Sequence, residues 1–178
     1  MPNGYSIQRL DPPAIRAKAS ELASVLVDCV AGGASVSFMD SLGLARAERF
    51  WLEVADRAES DGRAVMAAVR DSDRKVVGTV QMIPAGTENQ PYRADIAKML
   101  VSRAQRRHGL GAALMRAAEV AAAAAGKTLL TLDTASDDAE RLYTSLGWTR
   151  VGVIPNYALN PDGSPCDTVI FYKEIDRS

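Results

Sequence analysis

The chain has 178 residues, 47% of them hydrophobic and 24% charged, which suits one globular domain over residues 1–178 and excludes a disordered or fibrous chain. A formal net charge of -1 and a pI near 5.9 give no global attraction for nucleic acid, and no apolar run approaches the ~20 residues of a membrane span. Met1-Pro2-Asn3-Gly4-Tyr5 lacks the basic and then apolar regions of a signal peptide, so a cytoplasmic protein with neither nucleic-acid nor membrane partners is expected. Cys29 and Cys166 are too few for a disulfide framework and lack metal-ligand spacing, so free thiols and no metal are expected.

In chain order, Ser6-Ile7-Gln8-Arg9-Leu10 alternates polar and apolar residues as a strand does, and Asp11-Pro12-Pro13 ends it. Ile15, Ala19, Leu22, Leu26 and Val30 recur at helical spacing up to the stop at Gly32-Gly33. Ala34 to Met39 is short and partly apolar, a loop that either packs or presents side chains to a ligand. Leu44 to Ser60 predicts a second helix, closed by Asp61-Gly62. Val65–Val69 and Val76–Ile83 then form a hairpin around Asp71 to Lys75, and Arg93–Val101 follows as the central strand. Ala112 to Ala125 is unbroken by Gly or Pro and reads as a helix. Lys127–Thr134 is a further strand, parallel to the central one if the helix makes a right-handed crossover. Asp137–Leu146 is a short helix with acidic residues at its start and Gly147 behind it. Arg150–Ile154 and Thr168–Lys173 close the chain as two strands joined through Asn160-Pro161-Asp162-Gly163. The fold class is therefore α/β, a mixed and mostly antiparallel sheet with one embedded βαβ unit and flanking helices.

Within that unit, Arg106-Arg107-His108-Gly109-Leu110-Gly111 joins a strand to a helix. The first turn of a helix has backbone N–H groups without intrahelical partners and the positive end of the macrodipole, so the loop suits a phosphate. It is not a dinucleotide fingerprint, because Ser102 to His108 separate strand from glycine and Leu114 replaces the small third residue. Nor is it a Walker loop, since Gly111-Ala112-Ala113 supplies neither Lys nor Ser or Thr. His108 lies inside the phosphate loop, too far from any second reacting group for a Ser-His or Cys-His arrangement.

Arg106-x-x-Gly109-x-Gly111, after an apolar strand and before a helix, together with Tyr143-x-x-Leu146-Gly147-Trp148, resembles the GNAT superfamily of N-acetyltransferases, over nearly the whole chain. A narrower resemblance, to the tabtoxin resistance acetyltransferase, rests on Gly32-Gly33-Ala34-Ser35-Val36-x-Phe38-Met39, Leu132-Asp133-Thr134 and Trp148-Thr149-Arg150-Val151-Gly152, with Ala31 where that relative has a histidine. The family resemblance implies acetyl-CoA as cosubstrate, its pyrophosphate held by Arg106, Arg107, His108, Gly109, Leu110, Gly111 and Ala112, and its pantetheine arm beside Met99, Leu100 and Val101. Arg107 stands where many members have glycine, so its side chain must point outward. By the same resemblance Tyr143 donates a proton to the leaving thiolate, Asp95 and Asp133 are candidates for base or substrate contact, and Gly33, Ser35 and Phe38 line the acceptor side. The plain alternative for each aspartate is a solvated strand end or an ion pair, and for Tyr143 a core tyrosine. The expected activity is direct acetyl transfer to a small-molecule amine, with an antibiotic- or toxin-like acceptor suggested by the narrower resemblance. A non-catalytic acyl-CoA-binding module on the same fold is the rival, and the sequence allows a homodimer without specifying one.

Overall fold

The computed structural model describes residues 2–176. Strand β1 (Tyr5–Leu10) is followed by helices α1 (Pro12–Ala17), α2 (Ala19–Ala31) and α3 (Leu44–Ser60). Next come β2 (Ala64–Arg70), β3 (Val76–Pro84), β4 (Arg93–Val101), α4 (Leu110–Ala124), β5 (Leu129–Thr134), α5 (Asp137–Ser145), β6 (Thr149–Leu159) and β7 (Pro165–Glu174). The strands form one seven-stranded sheet in the order β1-β2-β3-β4-β5-β7-β6. Only β4 and β5 run parallel, as a crossover through α4 requires.

Alternation along the strands divides the core into two layers. Met66, Ala68, Val80, Met82, Ala94, Ile96, Leu130 and Leu132 face α4, whose Leu110, Leu114, Met115, Ala118, Ala121 and Ala122 recur on one helical face. Val65, Ala67, Val69 and Leu100 face the other way, onto the apolar stripes of α2 and α3 around the fully buried Trp51. Each large side chain buried in these layers contributes roughly 1.5–3 kcal/mol before ordering costs.

Two expectations are corrected. The first helical segment is two helices, because the chain turns at Lys18 (φ -105, ψ 10), whose N–H still bonds Ala14 and Arg16 carbonyls. The break lets Ile15 and the seven buried residues of α2 face the core from separate axes. The last two strands are longer than their apolar cores, since β6 continues through Pro155-Asn156-Tyr157 as an irregular excursion. Asn156 is left-handed there (φ 52) and its N–H bonds the Asp167 carboxylate at 2.9 Å. An outer strand tolerates a proline that a central one would not.

Candidate active site

Strands β4 and β5 pair only from Arg93–Asp95 against Leu129–Thr131. Beyond that they diverge, and a cavity of about 660 Å³ opens between them, within the usual range for a small-molecule site. A bulge deforms β4 at the same place. Thr79 of β3 faces Leu100, but Gln81 faces Ala97, so two residues of β4, Lys98 and Met99, oppose Val80 alone. Lys98 takes up a left-handed conformation (φ 52). The extra residue breaks the ladder and reverses the facing of everything after it, so that Leu100 joins the α2–α3 layer while Met99 and Val101 join the α4 layer. Met99, Leu100 and Val101 all line the cavity.

The loop 106–111, the expected phosphate loop, closes one end. Gly109 is left-handed (φ 75) and caps α4 without a side chain, and a Cβ on Gly111 would come within 2.9 Å of Leu142 Cδ2, so both glycines answer a local need. The N–H groups of Arg107, His108 and Gly109 make no hydrogen bond to protein among the described residues, and the helical ladder starts only with the Ala113 N–H on the Gly109 carbonyl at 3.1 Å. A run of free donors from Arg107 to Ala112 results, and every residue of the run except His108 lines the cavity. Arg107 is itself left-handed (φ 66), a conformation that glycine adopts without strain. Its side chain is 87% exposed, as expected, with Asp138 at 3.8 Å. Arg106 lines the cavity and its Nε reaches the Val101 carbonyl at 3.4 Å. The His108 ring turns outward, near Tyr5 and the Gln105 carbonyl. Asp28 of α2 steadies the loop by accepting from the Arg103 N–H (2.7 Å) and Nε (2.8 Å). Burial pushes this carboxyl up, but the bonds from Arg103 together outweigh it and hold it below its ordinary value.

Tyr143 projects from α5 into the other wall. The helix ends in a left-handed Gly147 (φ 79), and the Trp148 N–H returns to the Tyr143 carbonyl at 3.0 Å, the Schellman arrangement. This places Trp148 against Tyr143, which is also edge-on to Phe171 at 5.8 Å. Trp148 is fixed in turn by its Nε1–H to Glu119 of α4 at 3.0 Å. Only 5% of Tyr143 is exposed. Burial first, and the charge of Asp133 second, push its phenol well above the ordinary value, and the hydroxyl has no protein hydrogen bond among the described residues. Asp133, at the end of β5, lines the cavity and accepts from Thr168 Oγ1 at 2.9 Å.

Besides His108, whose ring turns outward, two more expected site residues are not on the cavity wall. Asp95 precedes the splay, where Arg93 and Thr131 both bond its carboxylate, which is the ion-pair alternative. Phe38 turns into the helical layer, edge-on to Phe50 at 5.3 Å. Gly33 and Ser35 do line the cavity. The loop that holds them, the roof loop over 32–43, crosses to the β6–β7 hairpin, with Ser35 Oγ donating to the Leu159 carbonyl at 2.9 Å and the Asp40 N–H to the Pro161 carbonyl at 3.0 Å. Val36, Ser37, Lys98 and Asn160 complete this side. None of these four is among the expected site residues, although Val36 and Ser37 lie in the loop read as packing or presenting side chains to a ligand. Lys98 has a signal of its own, a lysine in phase with the core residues Ala94 and Ile96, where an unbulged strand would bury it under α4.

Cys29 is buried with Sγ 3.4 Å from the Val101 carbonyl, and both cysteines are free. Burial raises the Cys29 thiol above its ordinary value against the pull of Arg106. Among the described residues no three His, Cys, Asp or Glu side chains are placed to hold a metal, and no helix is long and apolar enough to cross a membrane.

Solved structures of the same architecture are numerous. An acetyltransferase of the GNAT family from Streptococcus pneumoniae superimposes with a TM-score of 0.74 at 21% identity, over 96% of this chain and 99% of that one. The yncA protein of Salmonella typhimurium, solved with its cofactor acetyl-CoA, gives 0.78 at 18% identity over 99% and 96%. A GNAT superfamily phosphinothricin acetyltransferase from Sinorhizobium meliloti, in complex with acetyl-CoA, gives 0.80 at 15% over 97% and 89%. The family model for the acetyltransferase (GNAT) family matches residues 33–148, a span that takes in the roof loop, the bulged strand, the phosphate loop and the Tyr143 helix, and the chain belongs to that family.

Proposed function

We propose that this protein is an acetyl-CoA-dependent N-acetyltransferase that acts on a small-molecule amine by direct transfer. The observation that carries the reading is the run of free N–H donors from Arg107 to Ala112 opening onto the cavity that Tyr143 and Asp133 also line. Acetyl-CoA supplies the acetyl group as a thioester, activated toward an amine. The donors of the loop and the first turn of α4 hold its pyrophosphate, and Arg106 and Arg107 add charge. The edge of β4 from Met99 to Val101 pairs with the pantetheine arm as a neighbouring strand would, and a backbone N–H freed by the bulge donates to the thioester carbonyl oxygen, where negative charge develops.

Asp133, directly or through a water, accepts the proton that the ammonium must lose before its nitrogen can attack. As the new C–N bond forms and the C–S bond breaks, the Tyr143 hydroxyl donates its proton to the departing sulfur, and the second proton shed by the nitrogen as it becomes an amide restores the phenol. The raised phenol suits this task, because the proton is still in place at neutral pH. Asp95 keeps a supporting place, joining β4 to β5 through Arg93 and Thr131 just before the splay. The roof loop and a cavity of about 660 Å³ favour a small acceptor over a protein chain. The narrower resemblance to the tabtoxin resistance acetyltransferase adds toxin- and antibiotic-like amines to the acceptors worth testing.

Release of free thiol from acetyl-CoA across a panel of small amines tests the reading. We expect turnover with some members and a fall in kcat of about 10²-fold or more in Tyr143→Phe, with acetyl-CoA binding kept. Tight binding of acetyl-CoA without thiol release for any amine would instead make the protein a non-catalytic acyl-CoA-binding module.

A further inference from the structure

Lys98 has no part in the chemistry above, yet it occupies the acceptor side of the cavity. The bulge turns it away from α4 and toward the roof loop, where its Nζ donates to Ser37 Oγ at 3.2 Å and lies 5.9 Å from the Phe50 ring centroid. Ser37 and Lys98 are both left-handed, at φ 75 and 52. Two side-chain-bearing residues therefore hold an unfavourable backbone conformation on either side of one hydrogen bond, an arrangement found where the surroundings impose it for a purpose. Among the described residues no carboxylate lies within 4.0 Å of Nζ, and of its three N–H donors one is used. Burial pushes the ammonium below its ordinary value, with only partial opposition from Asp133 across the splay.

A half-buried ammonium in a cavity wall, with one hydroxyl partner and two free N–H donors, is a ready partner for an anionic group on a ligand. Asp133 stands on the same face of the sheet, so the acceptor side carries one fixed negative and one fixed positive group. An acceptor that matches both has an amine for Asp133 and an oxyanion for Lys98. Resting on the acetyltransferase reading, we infer that Lys98 determines acceptor specificity by pairing with an anionic oxygen group, and that the acceptors are small amino acids in the broad sense, amines that also carry a carboxylate or phosphonate.

The test compares kcat/KM for L-amino acids, their carboxamides and their α-aminophosphonate counterparts, in the wild type and in Lys98→Met and Lys98→Arg. A carboxamide has the less basic and more readily deprotonated amine, so intrinsic reactivity favours it, and a preference for the acid belongs to the protein. We expect the free acid or the phosphonate to be preferred by roughly tenfold or more, the scale of one charge-assisted hydrogen bond. The better of the two identifies the oxyanion. In Lys98→Met the preference should collapse through the KM of the anionic acceptor, and in Lys98→Arg it should return. Calorimetric titration with acetyl-CoA shows that each variant is folded. Equal turnover of acid and amide by the wild type, or equal losses for both in Lys98→Met, would overturn this assignment while leaving the acetyltransferase reading intact. Absence of thiol release with every acceptor would instead remove that reading, and this one with it.

Discussion

The phenol of Tyr143 is held by three contacts that leave its oxygen free, two of them aromatic and one the helix-end turn at Gly147. Removing that oxygen should therefore alter turnover and not stability, and Tyr143→Phe is expected to unfold within about 0.5 kcal/mol of the wild type, as a substitution that breaks no contact does. Equilibrium denaturation run beside the thiol assay separates the two effects. Arg107 is a different case. Its left-handed backbone costs about 1–2 kcal/mol relative to glycine, and its guanidinium is almost wholly solvated, so Arg107→Gly should raise the midpoint of urea unfolding. An unchanged or lower midpoint would mean that the cation contributes more to the loop than its exposed 3.8 Å contact with Asp138 indicates. At this scale the glycine loop before α4 and the helix-end turn behind Tyr143 were legible in the sequence, because glycines and an aromatic at fixed spacing mark local geometry. The sequence misplaced Asp95 and Phe38, because whether a polar or aromatic residue faces a cavity depends on which strand or helix has come to lie beside it. Thr131, which engages Asp95, lies 36 positions away along the chain.

Among the elements, β4 shows how a one-residue irregularity defeats a period-two reading. Ala94 and Ile96 alternate correctly, and the same rhythm continued would put Lys98 and Leu100 on the α4 side, where neither is found. The helices were easier to find than their ends, since the stripe from Ile15 to Val30 keeps its spacing through the turn at Lys18. Likewise the apolar centres of β6 and β7 were legible, but their polar extensions to Leu159 and Pro165 are strand only because each supports the other. The join between α2 and the phosphate loop lends itself to a pH measurement. Asp28 has a folded value below its ordinary 3.8, so its contribution to stability is complete above that value and is lost as pH falls through the lower, folded one. Asp28→Asn should accordingly melt below the wild type at neutral pH, with the gap narrowing once the pH drops under about 3.8. A gap that stays constant to pH 2 would assign the loss to packing rather than to the charge that Arg103 meets.

Taken whole, the molecule has a sheet whose two parts share three parallel residue pairs, Arg93–Asp95 with Leu129–Thr131, with a few polar links beside them at Tyr92, at Asp95 and from the 32–43 loop to the β6–β7 hairpin. The rest of the join is packing, through the apolar face of α4 and the aromatic group around Tyr143, so side-chain packing more than backbone pairing couples β1–β4 to β5–β7–β6. Such a seam is where partial opening starts, and amide hydrogen exchange should find the outer part less protected than the β2–β3 ladder in the free protein. A molecule laid along β4 with its phosphates at α4 would supply backbone-like partners where the ladder stops. Adding acetyl-CoA should then slow exchange from Ile96 to Val101 and across β5, and bring both parts to a common opening free energy. Uniform protection before and after addition would contradict this. The wedge between β4 and β5 thus has a second consequence besides room for chemistry, since it makes the cooperativity of unfolding itself depend on whether the site is filled.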